Sequence, residues 1–344
     1  MQNENIAKVI IPLSKCVPGM ILLQPIVDID TGSTIIGKDQ LLTEDILRRI
    51  KKFKHTEIWV GINREESMWQ IEENVLNTYD KYIEVLKNII GSKREGIDIK
   101  VNEVENLAKC ITEEFVYNFN VLACVSLVEK MDQDIYRHSM NVTLLSLLIA
   151  RWANFNPVKL KQVAMAGLLH DIGKIDMPSQ LIDKTKDLTV KEKVEFRRHP
   201  IYAYEKLSQY NELDNEVLKA VLTHHERCDG SGYPLNLIED RINDISRVVG
   251  LADEYDNIRR TANIFETIKI LKCDMIRKFD INMLLEFCNN VINYYIGEKV
   301  VLSTGEIAEV VFIQPHALHR PIVKVKERYV DLYENIQIEI IEVL

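Results

Sequence analysis

The sequence predicts a mainly α protein in which a large helical region lies between a small α+β unit and a small β unit. Three patterns in the 344 residues support this prediction. Apolar residues recur every three or four positions from Trp69 to Ile90, as in an amphipathic helix. Helical patterns dominate residues 132–296, and residues 297–344 change to the two-residue alternation of short strands.

Composition narrows the class of protein. A hydrophobic content of 47% and a charged content of 28% are typical of a folded globular chain, long enough for two or three domains. The net charge of -9 argues against a nucleic-acid polymer as partner. Six cysteines without a C-x-x-C pair indicate reduced thiols and a cytoplasmic location. We expect no signal peptide in residues 1–20 and no membrane span.

Residues 1–61 are predicted to form the small α+β unit. Thr43 is a candidate N-cap for a short helix. Strands are predicted at Val9–Leu13, Met20–Val27, Ser33–Gly37 and Ile58–Val60. The unit is either a sensory or docking module or a stabilising appendage. The absence of a ligand motif favours the second interpretation.

Residues 62–131 are predicted to form a helical connecting region. The first helix is interrupted by Gly91 and Gly96, the second runs from Val101 to about Phe119, and the third from Val121 to Lys130. Their apolar faces are interpreted as packing surface. A homodimer or a signalling partner contacting residues 1–131 is a further hypothesis.

The remaining elements follow the same periodicities. Helices are predicted at 134–152, 157–170, 190–209, 213–226, 244–258 and 264–295. Strands are predicted at Lys299–Leu302, Glu306–Ile313, Ile322–Lys326, Tyr329–Leu332 and Ile336–Ile341. His316 and His319 are expected to lie in a surface loop of this β appendage, 297–344.

Histidines and aspartates are concentrated in the central helices. The adjacent pair His170-Asp171 offers an imidazole nitrogen and a carboxylate oxygen to one small volume, which suits a transition metal. Other potential ligands are His138, His199, His224, His225 and Asp253. Each would need its own partner if it were buried without a metal. This number of ligands suits two divalent ions that share a carboxylate, the arrangement used for in-line phosphoryl displacement.

Five motifs occur in a fixed order: His170-Asp-Ile-Gly-Lys174, His199-Pro200, His224-His-Glu226, Asp229-Gly-Ser-Gly-Tyr-Pro234 and Ala252-Asp-Glu-Tyr-Asp256. Residues 132–258 thereby resemble the HD-GYP family of the HD superfamily. The resemblance implies an all-helical catalytic domain, here 132–296. It also implies two or three divalent ions, iron or manganese, and hydrolysis of the bacterial second messenger cyclic di-GMP to linear pGpG, GMP or both.

The resemblance further implies the metal ligands. They are His138, His170, Asp171, His199, His224, His225 and Asp253. Asp171 would bridge the ions and thereby take part in catalysis through a bridging hydroxide. Asp134 lies four residues before His138, where family members with three metals carry an acidic ligand. Positions i and i+4 share a helix face. The alternative is that Asp134 caps a helix.

The resemblance also implies which residues contact the substrate. Lys174 would contact the phosphate as a catalytic group, and the loop Asp229, Gly230, Gly232, Tyr233 and Pro234 would line the substrate site with its tyrosine near a guanine. These loop residues also suit a plain turn.

One motif of the family is missing. The usual Arg-Pro-Tyr-Arg segment, which helps to hold the substrate phosphates, is absent, and the shorter loop carries Arg259 and Arg260. These two arginines either replace it or are surface charges. The first hypothesis is therefore a cyclic di-GMP phosphodiesterase. The alternatives are a catalytically silent module that binds cyclic di-GMP or a partner, and a metal phosphohydrolase for another nucleotide.

Overall fold

The computed structural model describes most of the chain. The described residues are 6–13, 16, 18–27, 34–50, 57–94, 99–116, 121, 124–125, 134–178, 181 and 188–344. Most of the third helix predicted for the connecting region, Val121 to Lys130, lies outside them. Within the described residues, none of the helices combines the length and apolarity that crossing a bilayer requires.

The N-terminal unit is α+β, as predicted. Its strands are β1 (Ile6–Pro12), β2 (Ile21–Leu22), β3 (Ile26–Val27), β4 (Thr34–Ile36) and β5 (Glu57–Asn63). One antiparallel sheet has the order β1-β5-β2, and β3 pairs with β4. Helix α1 (Glu44–Ile50) begins after Thr43, whose hydroxyl accepts a hydrogen bond from the Ile46 N–H at 3.3 Å. Leu22, Leu42 and Val60 form part of the unit's own apolar core.

The central region is helical. Its helices are α2 (Arg64–Arg94), α3 (Val101–Ile111), α4 (Ile135–Trp152), α5 (Pro157–Leu169), α6 (Val190–Phe196), α7 (His199–Leu207), α8 (Asn215–Thr223), α9 (Asp244–Arg259), α10 (Ile264–Lys269) and α11 (Ile281–Asn293). Short 3₁₀ turns occur at Ile172–Asp176 and Glu239–Arg241, and π-helical turns at Thr112–Val116 and Ile270–Asp274. The mainly α prediction is confirmed.

Several predicted helix limits were wrong. The run 190–209 breaks between α6 and α7, because Pro200 has no N–H for an interior helical turn and is tolerated only at the start of a helix. The run 264–295 ends at a π-helical turn and restarts at α11, where Asp280 caps the new helix. Helix α2 continues through Gly91, where a side chain would have no neighbour within 4 Å.

The C-terminal residues form one antiparallel sheet of five strands. The strands are β6 (Lys299–Leu302), β7 (Ile307–Gln314), β8 (Ala317–Val325), β9 (Arg328–Asp331) and β10 (Ile340–Val343), in the order β10-β6-β7-β8-β9. His319 belongs to β8, so its predicted loop position was wrong, since β8 begins five residues earlier than the predicted strand. Asn263 at the start of α10 donates to the Ile340 carbonyl, which ties the sheet to the helices.

A single apolar core extends from Val75 in α2 through the central helices to Ile340 in β10. It crosses the predicted unit boundaries at residues 131 and 296, so the division at these two points stays a prediction. The core holds α4, α5 and α9 against one another, and His138, His170, Asp171 and Asp253 lie in or directly after these helices.

Candidate metal centre

The potential ligands come from different elements and meet in one buried volume. His138 lies in α4, Asp253 in α9 and His199 at the first position of α7. His170 and Asp171 directly follow α5, and His224 and His225 directly follow α8. All except His225 are at most 4% exposed. The apolar core therefore brings together residues that span more than one hundred positions of the sequence.

Their donor atoms fall into two sets that share Asp171. One set contains Asp171, His199, His224 and His225, and the other contains His138, His170 and Asp171. Within each set the donor atoms lie within 4.8 Å of one another. The two carboxylate oxygens of Asp171 face different sets: Oδ1 is 3.3 Å from His199 Nε2, whereas Oδ2 is 3.4 Å from His170 Nε2. In this position Asp171 would be able to donate one oxygen to an ion in each set.

Three histidines are held in the orientation that a metal ligand needs. In each case Nδ1 donates to the carbonyl oxygen three residues earlier, which leaves the Nε2 lone pair for the interior of the cluster. The pairs are His170–Gly167 at 2.7 Å, His199–Phe196 at 2.8 Å and His224–Val221 at 2.8 Å. The sequence produces this contact because each imidazole sits at a helix terminus or turn, where that carbonyl is accessible.

His138 is held by carboxylates instead. Its Nδ1 lies 2.8 Å from Asp256 Oδ2, and its Nε2 lies 3.1 Å from Asp253 Oδ1. Burial alone would lower the pKa of His138, but hydrogen bonds to Asp253 and Asp256 outweigh it and raise the pKa to about 9. Asp253 Oδ2 is also 3.5 Å from His225 Nδ1, so this carboxylate lies between the two sets.

Unsatisfied polar atoms point into the cluster. His170 Nε2, Asp171 Oδ1, His225 Nε2 and Asp253 Oδ2 are buried and have no hydrogen-bond partner among the described residues. Leaving one such atom unpaired costs about 1–3 kcal/mol, so several in one place are unfavourable without a further partner. Divalent cations would satisfy all of them. Imidazole and carboxylate donors suit iron, manganese or zinc, so these residues fit a dinuclear metal centre.

Charge in the cluster also suits a metal. Burial alone would raise the pKa of Asp171, but Lys174 and His170 hold it well below its usual range. Burial lowers the pKa of His199 to about 4, with a further contribution from Lys174. Burial, reinforced by neighbouring imidazoles, also lowers the pKa of His224 and His225 well below the ordinary value. The carboxylate is therefore ionised and these three imidazoles are neutral, which are the ligand forms.

The Asp229–Pro234 loop forms one wall beside the cluster. The ring of Tyr233 stacks on the ring of His225, with the two centroids 4.6 Å apart. The Arg197 guanidinium lies 5.3 Å from the centroid of the same Tyr233 ring. Gly232 is needed for close approach, since a Cβ there would lie 2.4 Å from the Arg227 nitrogen. Glu226 secures the loop by accepting hydrogen bonds from two backbone N–H groups, Leu235 at 2.6 Å and Leu237 at 2.8 Å.

Comparison with known proteins agrees with this geometry. Residues 123–272 match the family model described as an HD domain. A cyclic di-GMP phosphodiesterase of Pseudomonas aeruginosa is 29% identical over 67% of this chain and 57% of its own length. A solved HDG"Y"P protein from Bdellovibrio bacteriovorus, 18% identical, superposes with a TM-score of 0.55 over 83% of this chain and 100% of its own.

Residues 123–272 of the chain belong to the HD-domain family. Other relatives include a cyclic di-GMP phosphodiesterase of Thermotoga maritima, 35% identical over 42% of this chain and 40% of its own length. A 3'3'-cGAMP-specific phosphodiesterase of Vibrio cholerae is 32% identical over 35% of this chain and 26% of its own length. The chain spans about half the length, or less, of the curated relatives it matches.

Asp134 lies outside both donor sets found among the described residues, whereas the three-metal interpretation placed it with the ligands. It is the N-cap of α4, and its Oδ1 accepts from the Tyr136 and Arg137 N–H groups at 3.0 and 2.8 Å. Its other oxygen is 4.0 Å from Lys87 Nζ. The first turn of a helix has unpaired N–H groups, and they hold this short side chain, so the capping interpretation agrees with the structure.

The two arginines that either replace the missing Arg-Pro-Tyr-Arg segment or are surface charges have partners within the protein. Arg259 Nη1 donates to the Ala262 carbonyl at 2.7 Å, which braces the end of α9. Arg260 Nη2 donates to Asp256 Oδ2 at 3.1 Å, so it stands behind His138. The structure therefore gives both arginines contacts within the protein.

Some of the other predicted substrate residues lie beside the cluster, and others lie in an exposed turn. Lys174 Nζ pairs with Asp171 Oδ2 and lies at the edge of the cluster with 15% of its side chain exposed. Tyr233 and Gly232 belong to the wall of the cluster, and Pro234 follows Tyr233 through a cis peptide. Asp229 is exposed and closes a turn by accepting from the Ser231 N–H and hydroxyl, while Gly230 has φ +77.

Two functional residues escaped the sequence reasoning. Asp256, which orients His138, is the final residue of the Ala252–Asp256 motif and could have been noted for its position one helical turn after Asp253. Arg197 stands beside Tyr233 and precedes His199 in the basic pair Arg197-Arg198. No local sequence pattern distinguishes Arg197-Arg198 from two ordinary surface arginines.

Proposed function

We propose that this chain is a metal-dependent phosphodiesterase that hydrolyses a cyclic dinucleotide, with cyclic di-GMP as the first candidate substrate. The observation that carries the proposal is the pair of donor sets joined by Asp171, together with buried atoms of His170, His225 and Asp253 that have no hydrogen-bond partner among the described residues. The dinuclear arrangement suits displacement at phosphorus. The names of the relatives favour a cyclic dinucleotide as the molecule that is cleaved.

The first set would hold one divalent ion and the second set another, with Asp171 between them and Asp253 as a further ligand. When bound, these ions supply Lewis acidity, which makes water a better nucleophile and offsets the negative charge of the phosphodiester. The backbone carbonyls behind His170, His199 and His224 keep the rings in position, so little reorganisation is needed when the ions arrive.

The chain's own cations would position the phosphates. Lys174 lies at the edge of the cluster, and its ammonium stands 5.2 Å from the Phe196 ring. Arg197 lies on the same side through its contact with Tyr233 and is exposed. A guanidinium can bind a phosphate through two parallel hydrogen bonds. We therefore assign to Arg197, in place of Arg259 and Arg260, the phosphate contact that the missing segment provides elsewhere in the family.

Tyr233 would contact a base. Its ring is stacked on His225 on one side and meets Arg197 at 5.3 Å, so it is a rigid aromatic surface directly beside the ligands. Stacking on an aromatic ring is worth about 1–3 kcal/mol per base. A purine placed there would bring its phosphate close to the metal ligands.

The test is turnover by the purified full chain after loading with Mn²⁺ or with Fe²⁺ under anaerobic conditions. Cyclic di-GMP should be converted to pGpG, GMP or both, as separated by chromatography, and His170→Ala should abolish conversion. Metal-loaded protein that binds cyclic di-GMP in calorimetry without cleaving it would instead favour the silent binding module, an alternative motivated by the missing Arg-Pro-Tyr-Arg segment.

A second candidate substrate is 3'3'-cGAMP. The observation that favours it is the set of Vibrio cholerae relatives named as 3'3'-cGAMP-specific phosphodiesterases. Parallel assays with the two dinucleotides under one metal condition decide between them. A kcat/KM for 3'3'-cGAMP above that for cyclic di-GMP would replace the first candidate, and turnover only of another nucleotide would favour the wider phosphohydrolase hypothesis.

A further inference from the structure

A chain of hydrogen bonds connects helix α2 to the metal-facing histidine of α4. The Tyr79 hydroxyl donates to Asn141 Oδ1 at 2.8 Å, and Asn141 Nδ2 donates to Asp256 Oδ1 at 3.1 Å. Asp256 Oδ2 is then 2.8 Å from His138 Nδ1. The four side chains are at most 5% exposed, so each depends on its protein partner.

Each member of this chain restricts the next one. The Asp256 carboxylate accepts a hydrogen bond from Nδ1 of His138, which turns Nε2 of the ring toward Asp171 and Asp253 in the cluster. The Asn141 amide satisfies both neighbours in one orientation only, because its oxygen must accept and its nitrogen must donate. Burial, with a smaller contribution from nearby negative charges, raises the pKa of Tyr79 far above its ordinary value, so its hydroxyl stays a donor.

We infer that Tyr79 is a positioning residue of the metal centre, which acts through Asn141 and Asp256 to fix the ring of His138. The inference rests on the proposed metal-dependent function. It assigns a role to a residue before the matched HD domain, which begins at residue 123. Helix α2, which starts directly after β5 of the N-terminal unit, therefore completes the metal centre.

The same helix offers a matched control. Tyr82 lies three residues after Tyr79, is 6% exposed, and donates its hydroxyl to the Glu114 carboxylate, away from the ligands. Tyr82→Phe thus removes a buried hydroxyl with a polar partner, as Tyr79→Phe does, but leaves the chain to His138 intact. Any effect of lost packing or lost hydrogen bonding on the helix alone should be common to both variants.

The experiment measures Mn²⁺ affinity of the full chain, by competition with a chelator and by the electron paramagnetic resonance signal of the bound ions. Removing an outer partner of a ligand weakens binding about 10–100-fold when the partner contacts the ligand directly. Tyr79 is two residues further out, so we expect Tyr79→Phe to weaken one Mn²⁺ site about threefold to tenfold. The second site and Tyr82→Phe should match the wild type.

A double-mutant cycle tests whether the effect travels through Asn141. Asn141→Leu keeps the number of side-chain heavy atoms and their branching but removes the hydrogen bonds, and it should weaken the same site at least as much as Tyr79→Phe. In the Asn141→Leu background the tyrosine substitution should add less than about twofold, because interacting positions are not additive. If the two substitutions acted independently through packing, the double variant would show the full product of the two single losses in Mn²⁺ affinity.

Any of three results would overturn the inference. The first is a wild-type Mn²⁺ affinity in Tyr79→Phe, and the second is a loss of affinity in Tyr82→Phe equal to that in Tyr79→Phe. The third is a double variant whose loss of affinity equals the product of the two single losses. If Tyr79→Phe does not fold, Asn141→Leu alone decides, and wild-type affinity in that variant overturns the inference. Wild-type protein that binds no Mn²⁺ contradicts the proposed function as well, so the two failures are distinguishable.

Discussion

The carbonyl oxygen of His199 occupies the space into which a side chain at Gly173 would extend. An ideal Cβ built at Gly173 lies 2.0 Å from this oxygen and 2.7 Å from the Ala203 nitrogen. The 3₁₀ turn after the His170-Asp171 pair thus rests directly on the backbone of α7. Asp171 directly precedes this turn and His199 begins α7, so the contact holds these two residues in position relative to each other.

Gly173→Ala should therefore damage stability and metal binding together. Relief of the overlap requires α7 to move, and overpacking of this kind costs about 1–3 kcal/mol or more. We expect a lower midpoint in chemical denaturation and a reduced metal content. The control is Gly91→Ala in the interior of α2, where the added methyl group has no neighbour within 4 Å. It should stabilise by about 0.5–1 kcal/mol, and equal behaviour of the two variants would refute the close-contact account.

Asp134 offers a test between capping and metal binding. Asp134→Asn preserves a good N-cap and should leave both the unfolding free energy and the metal content unchanged. Asp134→Ala should lower the unfolding free energy by about 1 kcal/mol, again with unchanged metal content. Metal analysis of the two purified variants checks this. Loss of one ion per chain in both variants would restore Asp134 as a third-metal ligand.

Arg197 should contribute to substrate affinity. We expect Arg197→Ala to raise the KM for the cyclic dinucleotide about tenfold, the equivalent of one charge-assisted contact, with metal content unchanged. Arg198→Ala is the matched control, since this neighbouring side chain lies 5.2 Å from the Tyr202 ring and pairs with Glu195 at 3.6 Å. Steady-state kinetics decide, and equal KM values for the two variants would remove Arg197 from the substrate site.

Sequence reasoning located most of this centre because the ligands occur in short motifs. His170-Asp171 and His224-His225 are adjacent, and the Asp229–Pro234 loop is recognisable from its glycines and proline. The helical periodicity also predicted α5 and α8, after which His170-Asp171 and His224-His225 directly follow. These short motifs were sufficient to predict a metal site.

Long-range contacts could not be predicted in this way. Asp256 meets His138 across 118 positions, and Tyr79 meets Asn141 across 62 positions, so no local spacing indicates either pair. Asp134 was ambiguous because capping and metal binding both need an acidic group at a helix start. Arg260 was ambiguous because the predicted helix ended at residue 258, so the sequence did not show that Arg260 lies one helical turn after Asp256.

The central claim is that two ions bind on either side of Asp171. Anomalous diffraction from a crystal of the full chain, collected at the iron and manganese edges, tests it most directly. We expect two peaks, one among Asp171, His199, His224 and His225 and the other among His138, His170 and Asp171. Metal-supplemented crystals with no anomalous peak within reach of these side chains would contradict the claim.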